Sequence, residues 1–136
     1  MSEIIQPDSN QGIRTMKLEN NYYELIRMHC SGTDGVFHLA LRPNCEVYRG
    51  HFPGNPVCPG VCNIQMIKEC VERLTGCRLH IGSIHRCRLT AVATPMACPE
   101  LSVKINLQPT ENGYAVTATV SDAKRTYMDY KGEMTV

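Results

Sequence analysis

Residues 51–61 read HFPGNPVCPGV, and residues 61–76 continue as VCNIQMIKECVERLTG. Counted from Arg49, the stretch up to Gly60 holds three prolines and three glycines, a density that excludes a helix interior and a central strand. After it, apolar residues recur at steps of three or four, as in an amphipathic helix that ends at the glycine of Thr75-Gly76. We therefore expect a shaped loop over 49–60 and a helix over 60–75. The apolar positions are Val61, Ile64, Ile67, Val71 and Leu74, and the charged positions expected on the other side are Lys68, Glu69, Glu72 and Arg73.

Segments typical of antiparallel strands lie on both sides of this helix. Branched and aromatic residues at 22–30 and 36–41 flank a glycine-containing turn, which predicts a hairpin. Further strands are expected over residues 79–93, 100–108, 114–120 and 125–135. The fold class is therefore α+β, in one domain over 1–136 whose first 12 residues form a loosely ordered lead-in.

The composition excludes several classes of function. The chain has 136 residues, and its 14 Lys and Arg nearly cancel its 13 Asp and Glu. General nucleic-acid binding is not expected, because neutralising phosphates requires a surplus of positive charge. No apolar stretch approaches the ~18 residues that span a membrane. The first five residues lack the basic and apolar regions of a secretory signal, so we expect a cytoplasmic protein.

The eight cysteines are expected to be reduced. No pair has the spacing C-x-x-C, and no set of cysteines and histidines has the spacing of a zinc site. Without a secretory signal there is no oxidising compartment in which a disulfide framework would form. We expect these side chains to act as small hydrophobes, with no bound metal and no cofactor.

The loop and the start of the helix together suit chemistry next to a carbonyl group. Backbone N–H groups at Gly60 and Val61 have no partners within the helix and lie at the positive end of its dipole, where a carbonyl oxygen is stabilised. His51, with an ordinary pKa near neutrality, is a natural proton carrier. A histidine in a turn is also often structural or solvated, so the residue types by themselves leave both interpretations open.

Residues 51–61 resemble the signature HFPGxPVMPGV of the 3-hydroxyacyl-(acyl carrier protein) dehydratases of the FabZ/FabA type. Ten of the eleven positions fit, and Cys58 stands where the family usually has Met. The resemblance implies the hotdog fold, in which a long central helix is wrapped by a curved antiparallel sheet. It also implies a homodimer, or an assembly of dimers, with active sites between protomers. In this family His51 would be the catalytic histidine and Gly60 would donate its N–H to the thioester carbonyl. The acyl group would lie against Phe52, Val57, Val61, Ile64 and Met66.

The departure from the family pattern is at Gln65. The family's second catalytic residue is a carboxylate fourteen positions after the histidine, and that position is Gln65 here. Glutamine keeps the hydrogen bonds of a carboxylate but transfers no proton. Three explanations remain open at this point. Glu69, one turn further on, or His51 alone takes over the proton transfer; or the protein is a slow or specialised dehydratase; or it is an acyl-thioester binding protein or thioesterase. We expect Glu69 itself to be a solvated helix residue.

The resemblance implies dehydration of (3R)-hydroxyacyl thioesters on acyl carrier protein to trans-2-enoyl thioesters, in fatty-acid or polyene synthesis. Arg86 and Arg88 are two apart in an expected strand and so face the same way. They lie in the span 73–99, which has no acidic residue. We expect them to receive the acidic carrier or its phosphopantetheine phosphate, although a coenzyme A thioester would satisfy the same charges. An ordinary solvated sheet edge is the alternative interpretation.

Overall fold

The computed structural model describes residues 18–43, 45, 60–96 and 99–136. In these ranges one helix, α1, spans Gly60–Thr75, at the bounds that the sequence predicts. The strands are β1 (Tyr23–Ser31), β2 (Asp34–Leu41), β3 (His80–Leu89), β4 (Glu100–Pro109), β5 (Gly113–Ser121) and β6 (Thr126–Thr135). The expected α+β composition is confirmed, and β3 ends at Leu89 rather than at the expected Ala93.

The six strands form one antiparallel sheet in the order β1-β2-β4-β5-β6-β3. The expected hairpin at 22–41 is β1 paired with β2, and Gly32 in its turn has a φ of 62°, a conformation that costs glycine little. Since β1 and β3 each have one neighbour, they are the two edges of the sheet. No helix in the described ranges has both the length and the apolar character that crossing a bilayer requires.

The core lies between α1 and one face of the sheet. Along β2, β4 and β5 alternate side chains are buried, because successive side chains of a strand point to opposite faces. The helix contributes Met66, Ile67 and Val71, all fully buried. The strand residues that share this core include Phe37, Leu39, Leu101, Val103, Val120, Met128 and Tyr130.

Two of the expected positions on the helix are wrong. Val61, expected on the apolar face, is 74% exposed, and Glu69, expected in solvent, is 3% exposed. Glu69 lies three residues after Met66, so both side chains project from the same face of the helix. Asn63, three residues before Met66, is buried for the same reason. The buried face of α1 is therefore partly polar.

The edge strand β3 is uncovered within a single chain. All ten of its residues are exposed, including those on the face that the other strands turn toward the core. Its large apolar side chains include Ile84, 46% exposed, and Leu89, 60% exposed. A long open edge of this kind normally pairs with another chain or is protected from doing so.

Candidate functional site

The helix α1 begins at Gly60, the tenth residue of the proline- and glycine-rich motif. Its first turn contains no acidic residue, so no carboxylate of that turn offsets the positive end of the helix dipole. A Cβ placed on Gly60 would meet, among the described residues, only the Leu89 side chain, at 3.5 Å. The candidate residues His51, Phe52 and Val57 lie outside the described residues.

One stripe of α1 connects this helix start to the buried interior. Val61, Gln65, Glu69 and Arg73 follow one another at four-residue steps and so lie along one side of the helix. Val61 is exposed, Gln65 is half-buried and Glu69 is buried. Gln65 therefore stands at the boundary between the open helix start and the core. Ile64, also expected to line the acyl site, is half-buried beside it.

The Glu69 carboxylate accepts four hydrogen bonds, two on each oxygen. Oε1 accepts from the Glu19 backbone N–H and the Tyr23 hydroxyl, each at 2.9 Å. Oε2 accepts from the Leu18 N–H at 2.7 Å and from Nε2 of Gln65 at 3.0 Å. These four donors occupy the lone pairs of the carboxylate and compensate the loss of its hydration. No lone pair of Glu69 is left for a substrate, which argues against its replacing the family's carboxylate.

The groups around Glu69 are held in their neutral or paired forms. Burial, reinforced by the negative charge of Glu69, raises the pKa of the Tyr23 hydroxyl far above its ordinary value. Burial likewise raises the pKa of the Cys70 thiol. Arg73, one turn further on, donates two hydrogen bonds to the carboxylate of Glu19, which raises the pKa of the guanidinium. The helix stripe and residues 18–23 are thus joined by a connected set of polar contacts.

A second buried polar contact lies beside the first. The Tyr22 hydroxyl donates to Oδ1 of Asn63 at 2.9 Å, and both residues are almost fully buried. Sequence reasoning missed the structural roles of Asn63 and Glu69, and of Tyr22 and Tyr23 as their partners. The available signal was spacing, since Asn63 and Glu69 lie three residues on either side of the core residue Met66.

Arg86 and Arg88 are both exposed on β3. They pair across the ladder with Lys131 and Asp129 of β6, whose neighbour Tyr130 points into the core. The two arginines therefore share the outer face of the sheet edge. Their contact with a carrier protein stays a prediction.

The cysteines in the described ranges show no disulfide. The six free cysteines there are Cys30, Cys45, Cys62, Cys70, Cys77 and Cys87. Cys58 and Cys98 lie outside the described residues. In the same ranges no group of three or more His, Cys, Asp or Glu side chains is arranged to hold a metal ion.

A sequence model of the ApeI-like family, described as ApeI dehydratase, matches residues 27–128 of this chain. The chain belongs to the ApeI-like dehydratase family. The ApeI-like match runs from Arg27 in β1 to Met128 in β6 and so includes the motif at 51–61 and the whole of α1. The resemblance to FabZ-type dehydratases is thereby confirmed.

Curated relatives of this ApeI-like chain carry the name 3-hydroxyacyl-(acyl-carrier-protein) dehydratase FabZ. The protein of Lactococcus lactis is 30% identical over 89 residues, which cover 60% of this chain and 59% of the relative. The protein of Pediococcus pentosaceus is also 30% identical over 89 residues, with 60% of each chain covered. The matched region thus spans about three fifths of the length of these relatives.

Solved structures resemble this ApeI-like chain in fold. The dehydratase heterocomplex ApeI:P of Xenorhabdus doucetiae includes a chain that matches with a TM-score of 0.70 and 22% identity, covering 84% of this chain and 98% of that one. An uncharacterised protein of Erwinia carotovora matches with a TM-score of 0.57 and 14% identity, covering 83% and 94%. The first likeness, together with one helix packed on a six-stranded antiparallel sheet, confirms the hotdog fold.

Proposed function

We propose that this chain removes water from (3R)-hydroxyacyl thioesters carried on acyl carrier protein, giving trans-2-enoyl thioesters. The observation that carries the proposal is the start of α1 at Gly60, the tenth residue of the signature at 51–61, with no acidic residue in the first turn. Such a helix end stabilises the negative charge that develops on a thioester oxygen when C2 loses a proton. Membership of a dehydratase family and relatives named as FabZ support the reaction class.

In this mechanism His51 carries the proton through the whole reaction. The thioester carbonyl accepts a hydrogen bond from the Gly60 N–H, which makes the C2 proton more acidic. The neutral His51 imidazole takes that proton, the C2–C3 double bond forms, and the C3–O bond breaks. His51 then returns the proton to the departing hydroxyl, which leaves as water. Gln65 hydrogen-bonds the hydroxyl and transfers no proton.

The substitution at Gln65 predicts a slow dehydratase. Proton transfer by a positioned acid or base typically contributes about 10²–10⁴ to a rate, and an amide supplies none of it. The geometry of Glu69 offers no replacement, since both of its oxygens are already occupied. Of the explanations that the sequence leaves open, we favour His51 as the single proton carrier in a specialised dehydratase.

The test is hydration of a crotonyl thioester, the reverse reaction, followed by loss of the enoyl absorbance. His51→Ala should abolish hydration, while His29→Ala, an exposed histidine on β1, should leave the rate unchanged and serves as the matched control. Free thiol is measured in parallel. Hydration that survives His51→Ala, or thiol release in place of hydration, would overturn the assignment and favour the thioesterase alternative.

We further expect β3 to pair with β3 of a second copy, giving a homodimer. The support is the uncovered edge strand with its exposed Ile84 and Leu89, the latter next to Gly60. Ile84→Lys should yield a monomer in sedimentation velocity. Ile26→Lys on the opposite edge, 43% exposed against 46% for Ile84, should leave the dimer intact. A wild-type chain that sediments as a monomer would refute the homodimer, and the heterocomplex named for ApeI:P makes a related subunit the next partner to test.

The carrier would approach the outer face of β3 in the cytoplasm. Arg86→Ala and Arg88→Ala should raise KM for a carrier-linked substrate, because each removes a positive charge that the acidic carrier meets. A short N-acetylcysteamine thioester has neither carrier nor phosphate, so its KM should stay unchanged. Equal changes in KM for both substrates would show that these arginines do not contact the carrier.

A further inference from the structure

The side-chain amide of Gln65 has a defined orientation. Its Nε2 donates to Oε2 of Glu69 at 3.0 Å, and a carboxylate can only accept. The amide nitrogen must therefore face Glu69, and Oε1 of Gln65 is turned away from it. Glu69 is itself fixed by the Leu18 and Glu19 N–H groups and by the Tyr23 hydroxyl, so it is a rigid reference point for this orientation.

We propose that Glu69 is a positioning residue that sets which atom Gln65 presents to the substrate, and that the Gln65–Glu69 pair functions with a single negative charge. The inference rests on the proposed dehydration, in which Gln65 contacts the C3 hydroxyl. With Nε2 held by Glu69, Oε1 of Gln65 accepts a hydrogen bond from that hydroxyl, the group that leaves as water in the proposed reaction. Considered from the sequence alone, Gln65→Glu would restore a proton donor, and the structure changes that expectation.

A carboxylate at position 65 would face the carboxylate of Glu69 at about the present 3.0 Å. Two carboxylates at this distance do not both ionise readily, so the pair holds a proton to a higher pH than either would alone. The described titratable groups around this site include Tyr23 from β1, Glu19 from the preceding segment, and Cys70 and Arg73 from α1, while Lys68 on the same helix pairs with Glu72. Tyr23 and Cys70 stay protonated, and the charge of Arg73 is directed to Glu19. None of these groups offsets a second negative charge at position 65.

The first arm of the test measures stability and does not depend on activity. Thermal unfolding is followed from pH 4 to pH 8 for the wild type, Gln65→Glu, Glu69→Gln and the double variant Gln65→Glu/Glu69→Gln. In Gln65→Glu the folded protein keeps a proton that the unfolded chain releases near pH 4.3, so its stability falls as the pH rises. The loss should be about 4–7 °C in melting temperature for each unit by which the pKa of the pair is raised. The double variant, with one charge again, should not show this fall.

The second arm measures catalysis with the crotonyl thioester. Glu69→Gln allows the Gln65 side-chain amide to flip, so that Nε2 faces the substrate hydroxyl in place of Oε1. We therefore expect kcat to fall by up to about 10²-fold with KM little changed. Gln65→Glu should lose kcat as the pH rises, and the double variant should recover a pH profile without that loss. Glu72→Gln is the control, since Glu72 on the same helix also accepts a backbone N–H, that of Leu79 at 2.8 Å. We expect its kcat to stay at the wild-type value.

The two arms separate failure of the inference from failure of the proposed function. An inactive wild type whose variants show the expected stability profiles would refute the dehydratase and its positioning residue but keep the single-charge pair. An active wild type with unchanged kcat in Glu69→Gln would overturn the positioning role and leave the dehydratase standing. A flat stability profile in Gln65→Glu would overturn the single-charge pair.

Discussion

Replacing Tyr23 with phenylalanine removes one hydrogen bond to Glu69 and leaves the aromatic ring in place. The lost bond is the 2.9 Å contact from the Tyr23 hydroxyl to Oε1, between two residues that are 2% and 3% exposed. Because the ring is unchanged in volume, no cavity term complicates the comparison. Oε1 keeps its second donor, the Glu19 N–H, so the carboxylate loses one of its four hydrogen bonds and retains three.

The magnitude follows from the charge of the acceptor. A hydrogen bond to a charged group contributes about 1.5–3 kcal/mol, and a neutral one about 0.5–1.5 kcal/mol. Tyr22→Phe is the matched control, because its hydroxyl donates over the same 2.9 Å to the neutral Asn63 amide. We expect Tyr23→Phe to cost about 1 kcal/mol more free energy of unfolding than Tyr22→Phe. At roughly 3–5 °C per kcal/mol, the two melting temperatures should differ by several degrees.

The assay is urea unfolding at neutral pH, analysed for both midpoint and slope. The slope should be the same in the wild type and both variants, which shows that only stability has changed. Equal losses in the two variants, or no loss in Tyr23→Phe, would refute the argument that Glu69 is a buried charge held by its donors. In either case Glu69 would have to be neutral or hydrated.

Three further outcomes are expected. Asp122 accepts the Tyr127 hydroxyl and two backbone N–H groups, and the first of these bonds contributes most to lowering its pKa. The stability that the ionised Asp122 side chain contributes is therefore complete above the unfolded pKa of about 3.9 and is lost as the pH falls through the lowered folded pKa. The difference in free energy of unfolding between the wild type and Asp122→Asn should therefore narrow between pH 5 and pH 2. Gly132→Ala would place a Cβ against the Ser83 carbonyl oxygen, closer than van der Waals contact allows, so it should lower the melting temperature and loosen β3; an unchanged melting temperature would contradict that clash. Thiol titration of freshly purified, unfolded protein without reductant should count eight thiols, and a lower count would contradict the expected reduced state.

The sequence was sufficient for the elements whose signals are local. The bounds of α1 followed from the end of the proline-glycine stretch and from Gly76, and the strands followed from alternation and turns. The family followed from eleven consecutive residues at 51–61, which need no knowledge of distant contacts. Expectations for His51, Phe52 and Val57 lie outside the described residues and remain predictions.

The burial of polar side chains on α1 was not predictable in the same way. Glu69 was expected in solvent because a charged helix residue usually is. Its burial depends on donors 46 to 51 residues away in the chain, at Leu18, Glu19 and Tyr23. Val61 is the reverse case, an apolar residue at the helix start that no described strand covers. Periodicity reports which residues share a face, and only the tertiary arrangement decides what that face meets.

The attachment of residues 18–23 to α1 has a consequence for how the chain opens. As an edge strand β1 has one neighbour, and such strands commonly fray in local fluctuations that leave the rest of the fold intact. Opening its Tyr23 end together with the preceding residues 18–22 would remove three of the four donors of Glu69, whereas its Ser31 end is exposed. Protection against amide hydrogen exchange should therefore decrease along β1 from Tyr23 to Ser31. The beginning of the first strand and the middle of the central helix then belong to one cooperative unit, although about fifty residues separate them in the chain.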